Sequence, residues 1–321
     1  MDESEPLVSV LVPVFNRAPF IVEALESIAV QTHRNLEILV QCDGSTDGTP
    51  RIVDDFASRD PRVKVERWEQ NRGLVAARNR LIERAQGEFA CYLDSDDSMM
   101  PEKLSAQLQF LHDHPQTAAV GTGCIYVEAD GRTQIALVEY SQDYEGLRYV
   151  PQYCCASLLY RMSALRSAFP IRTAFETGED VDLILRISER AHVTNIPDLL
   201  YRRRRHAGQI SHGHESGHVL AIASSLYRQA GYPDFVGEEP LDDPSLLDRI
   251  AHEIGALYLD GARTKNRYQQ LAAVLVVLHA GRRARSLRTF ADALMRCLRH
   301  APGNFFSVLL LWARPERGVL R

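Results

Sequence analysis

The sequence predicts an α/β protein, with a mostly parallel (mixed) central sheet, helices on both of its faces, and a helical C-terminal region. Three observations predict this. Short, near-continuous apolar runs, the pattern of strands buried on both faces, recur through residues 7–125. A polar turn and a helix-like stretch follow each run, as in βαβ units. From about Glu215 onward only helical periodicity remains.

The elements follow in order. Leu7–Val14 is the first strand, and Pro19 suits the first turn of a helix reaching about Val30. Leu36–Val40 is the second strand, Asp43-Gly-Ser-Thr-Asp-Gly48 is turn chemistry, and Thr49-Pro50 caps the next helix. Val63–Val65 is a short third strand, and a helix from about Leu74 to Ala85 closes at Gly87 as a C-cap would. Phe89–Leu93 is the fourth strand, and Pro101–His114 is helical. Beyond Ala118 the texture changes: Val120–Val127 and Thr133–Val138, around a turn at Ala129–Arg132, predict an antiparallel hairpin. Gly178–Ala191 reads as a helix and Val193–Tyr201 as a strand. The later helices are His218–Ala230, Pro244–Arg263, Tyr268–His279, Ser286–His300 and Phe305–Ala313.

A chain of 321 residues, 45% hydrophobic and 25% charged, is globular and long enough to bury a core without disulfides. Its six cysteines (42, 91, 124, 154, 155 and 297) form no C-x-x-C pair and read as buried thiols of a reducing compartment. The acidic start, Met-Asp-Glu-Ser-Glu-Pro, lacks a signal peptide's apolar core, and no stretch approaches the ~20 apolar residues of a spanning helix. A cytoplasmic protein is expected, soluble or peripheral on the inner face of the membrane. The net charge of −5 conceals an asymmetry: Gly261–Arg321 carries twelve Lys or Arg against Asp292 and Glu316 alone, so the body is acidic.

In open α/β sheets, ligands bind beyond the carboxyl ends of the strands. Asp43 follows the second strand there, and Asp94, Asp96 and Asp97 follow the fourth. Three carboxylates within four residues repel one another unless a cation compensates, so Asp94-Ser95-Asp96, a D-x-D, suits a hard divalent ion. Alternatively, the same residues make a turn and cap the following helix.

The ordered series Val8-Ser-Val-Leu-Val-Pro-Val-Phe-Asn16, Asp43–Gly48, Asn71-Arg-Gly-Leu-Val-Ala-Ala-Arg-Asn79, Leu93-Asp-Ser-Asp-Asp97, Gly178-Glu-Asp-Val-Asp-Leu-Ile-Leu-Arg186 and Tyr201-Arg-Arg-Arg-Arg-His206 resembles the family 2 glycosyltransferases, over about residues 7–212. The resemblance implies the GT-A nucleotide-diphospho-sugar fold. The domains expected are a catalytic one over 1–214 (nucleotide-sugar half about 1–125, acceptor half about 126–214) and a basic helical region over 215–321. It also implies that Asp43 accepts the N3–H of uracil, which suits an acceptor-only carboxylate. The resemblance places Pro13 and Phe15 against the base, although Phe15 reads equally as a core aromatic. Arg78 lies near the nucleotide, or else in a surface ion pair with Glu83 or Asp54. By the same resemblance, Asp94 and Ser95 are expected to contact the donor, Asp96 to hold Mn²⁺ or Mg²⁺, and His206 to reach the diphosphate or its metal. Asp97 supports the others or caps the helix.

Asp180 matches the family's catalytic base. One base and no covalent nucleophile imply inversion at the anomeric carbon. Asp182 and Arg186, four apart on one helix, are expected to pair. The function expected is therefore metal-dependent, inverting transfer of a hexosyl or N-acetylhexosaminyl group from a UDP-sugar. The acceptor expected is a glycan or lipid-linked saccharide in bacterial cell-surface assembly, and no nucleic acid partner is expected. The alternatives are an inactive binding protein of this fold and a nucleotidyltransferase, though Val14-Phe15-Asn16-Arg17 lacks the glycines the latter needs. The arginine-rich apolar helices of the tail either lie at a membrane interface or pack on the catalytic domain or on a second copy of the chain.

Overall fold

The computed structural model describes residues 5–128, 131–136, 154–175, 177–206, 208–209 and 215–229, with Ile254, Ala273 and Val276. The expected helices beyond 230, Cys297 and the basic tail lie otherwise outside the described residues, as do all of residues 137–153. Two compact units emerge. One holds Met1–Gln142, Tyr153–Ile171 and Arg190–Gln209; the other holds Asp143–Gln152, Arg172–Glu189 and Ile210–Arg321.

The first unit is built on a mixed sheet. Its strands are β1 (Val8–Val14), β2 (Leu36–Asp43), β3 (Val63–Trp68), β4 (Phe89–Tyr92), β5 (Ser98–Met99), β6 (Thr117–Val127), β7 (Thr133–Ala136), β8 (Leu159–Arg161) and β9 (His192–Arg204). Their order is β3-β2-β1-β4-β8-β6-β9-β5, with β7 paired to β6. The β3-β2-β1-β4 portion is parallel, as the buried apolar runs predict. Edge strand β3 is buried only at Val63, its other residues being partly or wholly exposed. β8 enters antiparallel between β4 and β6; its three residues, like the two of β5, are too few to show a period. The β6–β7 hairpin forms as expected.

Helices α1 (Ile21–Ala29), α2 (Thr49–Ala57), α3 (Leu74–Arg84) and α4 (Lys103–Asp113) follow β1, β2, β3 and β5, and α5 (Met162–Ser167) follows β8. α3 packs on β1 and β2. Pro13 sits inside β1 without spoiling the ladder. The Leu11 carbonyl faces β4 and accepts from the Leu93 N–H, so the donor missing at Pro13 faces the same side, beyond the last β1–β4 pair. Two caps differ from expectation. The Asp47 carboxylate, not Thr49, accepts the first N–H of α2, and the Thr49 hydroxyl accepts the Arg17 N–H instead. Gly87 lies beyond the end of α3 in a close approach: a Cβ there would stand 2.7 Å from the Ser9 nitrogen.

Glu37 anchors the opposite end of the sheet. It accepts from Ser9 Oγ (2.6 Å), the Gln86 N–H (2.6 Å) and Lys64 Nζ (2.9 Å). Burial alone would raise its carboxyl, but these bonds outweigh burial and hold it below the ordinary value. A depressed folded-state value stabilises the fold above the unfolded-state value, and that stabilisation is lost as pH falls through the folded one. Glu37→Gln is therefore expected to cost about 1–2 kcal/mol at pH 7, a difference that shrinks toward pH 3 in denaturant titrations.

Cys124 and Cys154 form a disulfide across 30 residues, which corrects the expectation of six thiols. β6 and the segment before a short 3₁₀ turn (Cys155–Ser157) bring them together. Cys42 and Cys91 are buried thiols, as expected. Among the described residues no helix is long and apolar enough to cross a membrane.

The second unit contains α6 (Glu179–Ser188) packed on α7 (Glu215–Gln229).

Candidate active site

Asp43 ends β2 and is nearly fully buried. Its two oxygens accept the backbone N–H groups of Arg72 (2.7 Å) and Gly73 (2.9 Å), just before α3. Gly44, at φ +68°, lets the backbones of Gln70 and Asn71 come this close: a Cβ there would lie 2.4 Å from the Asn71 nitrogen. Each oxygen retains a lone pair for one further donor. α3 then ties Asp43 to the next acidic turn. Five residues beyond Gly73, buried Arg78 reaches Asp94 Oδ1 with Nη2 (3.1 Å) and lies over the Tyr92 ring. The surface pairs weighed for Arg78 do not form: Glu83 pairs with Arg80, and Asp54 with Arg67.

The turn after β4 carries Asp94, buried Ser95, Asp96 and Asp97. Asp97 does not cap α4, which starts at Lys103. It accepts from the Tyr201 hydroxyl (2.9 Å) and the Arg204 N–H (2.9 Å), joining the turn to β9. Burial, and then the charges of Asp94 and Asp96, push its carboxyl well above the usual range.

Asp96 meets two partners at one oxygen. Arg17 Nε lies 3.2 Å and His206 Nε2 2.9 Å from Oδ2. The Gly208 N–H donates to His206 Nδ1 (3.2 Å), so Nδ1 is the acceptor and Nε2 carries the proton given to Asp96. Phe20 stacks on the imidazole at 4.6 Å, and Arg204 lies over the Phe20 ring and donates to the Asp96 carbonyl. Of the remaining run, Arg205 pairs with Glu128 and lies over Tyr126. Phe15, at the end of β1, is 40% exposed and so is no core aromatic.

Asp43, Arg78, Asp94, Ser95, Asp96 and His206 thus share the strand carboxyl ends of the first unit, with Pro13 and Phe15 on β1 and just beyond it. Reading the sequence missed Arg17, Phe20 and Tyr201. Arg17 had one usable signal, its place just past the first strand.

Asp180 belongs to the second unit, in the first turn of α6 after Gly178 in the left-handed conformation. It is half-buried and accepts the Val181 N–H. Asp182, fully buried, holds Arg186 (Nε to Oδ2, 3.0 Å), the expected pair, and also Arg172.

As for a cation, no group of three or more His, Cys, Asp or Glu among the described residues is arranged to hold one. Asp96 nevertheless fits an ion that completes its shell with phosphate oxygens, and His206 can join it only once its proton leaves Nε2. The guanidinium of Arg17 shows that the Asp96 carboxylate accommodates a positive partner.

The fold matches solved glycosyltransferase structures. S. aureus TarS 1–349 in complex with UDP-GlcNAc gives a TM-score of 0.60 at 19% identity, over 94% of this chain and 91% of that one. The mannosyltransferase PcManGT from Pyrobaculum calidifontis, in complex with GDP-Man and Mn²⁺, gives 0.53 at 20%, over 97% and 89%. The architecture is the GT-A fold. In sequence, residues 9–169 match the model of Glycosyl transferase family 2. EpsE of Bacillus subtilis (strain 168), which bears a provisional glycosyltransferase name, is 30% identical over 205 residues, 63% of this chain and 74% of its own. The chain belongs to glycosyltransferase family 2.

Proposed function

We propose that this enzyme moves a hexosyl or N-acetylhexosaminyl group from a UDP-sugar to a hydroxyl of a glycan or lipid-linked saccharide, with inversion and with Mn²⁺ or Mg²⁺ bound. One observation carries the reading. Within one unit, α3 joins the Asp43 turn to the Asp94–Asp97 turn, and His206 reaches the same turn from beyond β9. TarS with UDP-GlcNAc and PcManGT with GDP-Man and Mn²⁺ support the ligand classes.

In this reading Asp43 selects the base by accepting its ring N–H, and exposed Phe15 offers an aromatic face to it. Arg78 keeps Asp94 turned toward the donor. Asp96, joined by His206 once its Nε2 has given up its proton, would hold the divalent ion, which supplies charge stabilisation to the departing diphosphate. Asp180, partly open to solvent at the start of α6, takes the acceptor's proton. With no covalent nucleophile, displacement is direct and inverts the anomeric centre.

Thermal unfolding with a panel of nucleotides, with and without Mn²⁺, tests this. UDP and UDP-sugars at a hundredfold excess over Kd are expected to add about 2.7 kcal/mol of stability. That gain should disappear with EDTA or in Asp96→Ala. A response to NAD, or a UDP response indifferent to chelation, overturns the reading.

A further inference from the structure

Arg17 makes more contacts than a surface arginine needs. Nε meets Asp96 Oδ2, Nη1 donates to the Phe15 and Asn16 carbonyls (3.3 and 3.1 Å), and Nη2 donates to the Gly208 carbonyl (3.1 Å). The Gly208 N–H in turn holds His206, whose other nitrogen returns to Asp96 Oδ2. Arg17, Asp96, His206 and Gly208 therefore close a ring of hydrogen bonds. Its side chain is 18% exposed and that of Asp96 is 13%, so water screens the pair only partly.

The loop that carries Arg17 is itself held. Asn16 takes a positive φ of 51°, donates its N–H to Ser45 Oγ (3.0 Å) and accepts the Thr46 N–H at Oδ1 (2.9 Å). The Arg17 N–H is fixed by Thr49 Oγ1 (2.9 Å). Three hydrogen bonds of the loop and three from the guanidinium to carbonyls thus aim one guanidinium at one carboxylate.

We infer that Arg17 is the resident counter-cation of Asp96 in the nucleotide-free protein, a positioning residue whose charge opposes a divalent ion there until a diphosphate arrives to accept it. The inference rests on the proposed ion site at Asp96. Two donors fill the lone pairs of Oδ2, so an ion at that oxygen displaces at least one of them. At either oxygen the ion also meets the guanidinium charge a few ångströms away. A diphosphate removes that penalty by pairing with the released guanidinium, a geometry for which the planar fork is suited. Ion and nucleotide consequently bind cooperatively, and Arg17 sets the size of the coupling.

The test is Mn²⁺ binding to the full chain, read from the electron paramagnetic resonance signal of free Mn²⁺, with and without UDP. For the wild type, UDP is expected to tighten Mn²⁺ about tenfold or more, and Mn²⁺ to tighten UDP by the same factor. Arg17→Gln, checked for an unchanged melting profile, is expected to bind Mn²⁺ about tenfold tighter without UDP and to lose most of the coupling. Arg17→Lys keeps the charge, and its Mn²⁺ affinity without UDP is expected to stay within about threefold of wild type. Equal Mn²⁺ affinity of Arg17→Gln and wild type without UDP overturns the proposal. So does independent binding of Mn²⁺ and UDP in the wild type, a result that needs no variant to fold. Failure of the ion site itself looks different: Asp96→Ala would then leave Mn²⁺ binding in the presence of UDP unchanged.

Discussion

Asp180→Asn is expected to lower kcat by about 10²–10⁴-fold, the usual contribution of a positioned general base, while UDP and Mn²⁺ affinities stay within error. Asn keeps the shape and the acceptor oxygen that receives the Val181 N–H, so the first turn of α6 should persist. What disappears is the ability to accept a proton from the acceptor hydroxyl. Initial rates of UDP release with acceptor present, together with UDP titration, check this. Turnover within tenfold of wild type would remove Asp180 from the chemistry.

Two residues along the same helix, Asp182→Asn is expected to act on stability instead, by about 3 kcal/mol or more. Its carboxylate is fully buried between Arg172 and Arg186. Arg172 also reaches Ser224 on α7 (3.0 Å), and Arg228 joins α7 to Glu189, so the carboxylate stands in a network linking the two helices. Neutralising it removes the buried charge that both guanidinium groups face, which is far more costly than losing an exposed ion pair. Denaturant unfolding at pH 7 measures the loss, and a change below about 1 kcal/mol would show that the network tolerates the missing charge. Successive helical residues are separated by about 100°, so Asp180 and Asp182 face nearly opposite ways, one partly open and the other sealed.

Much of the parallel half was legible because burial on both faces imposes a local composition. Leu7–Val14, Leu36–Val40 and Phe89–Leu93 are apolar runs that need no partner to be recognised. The same holds for the acidic turns, since a parallel sheet places all its strand ends on one edge. Short elements such as β5 and β8 escaped, because two or three residues carry no period. Capping was misplaced by two residues at Thr49, where a hydroxyl and the carboxylate of Asp47 compete for the same role.

By itself, the sequence determined the alternation of strands and helices, the carboxylates at the strand ends and the family to which the chain belongs. Only the tertiary structure decided which atoms those groups meet. Arg17 and Asp96 are 79 residues apart and His206 and Asp96 are 110 apart, and Cys124 finds Cys154 across 30. Local propensity acts over a few residues, whereas these pairings arise from the order in which strands assemble and the loops that assembly brings together.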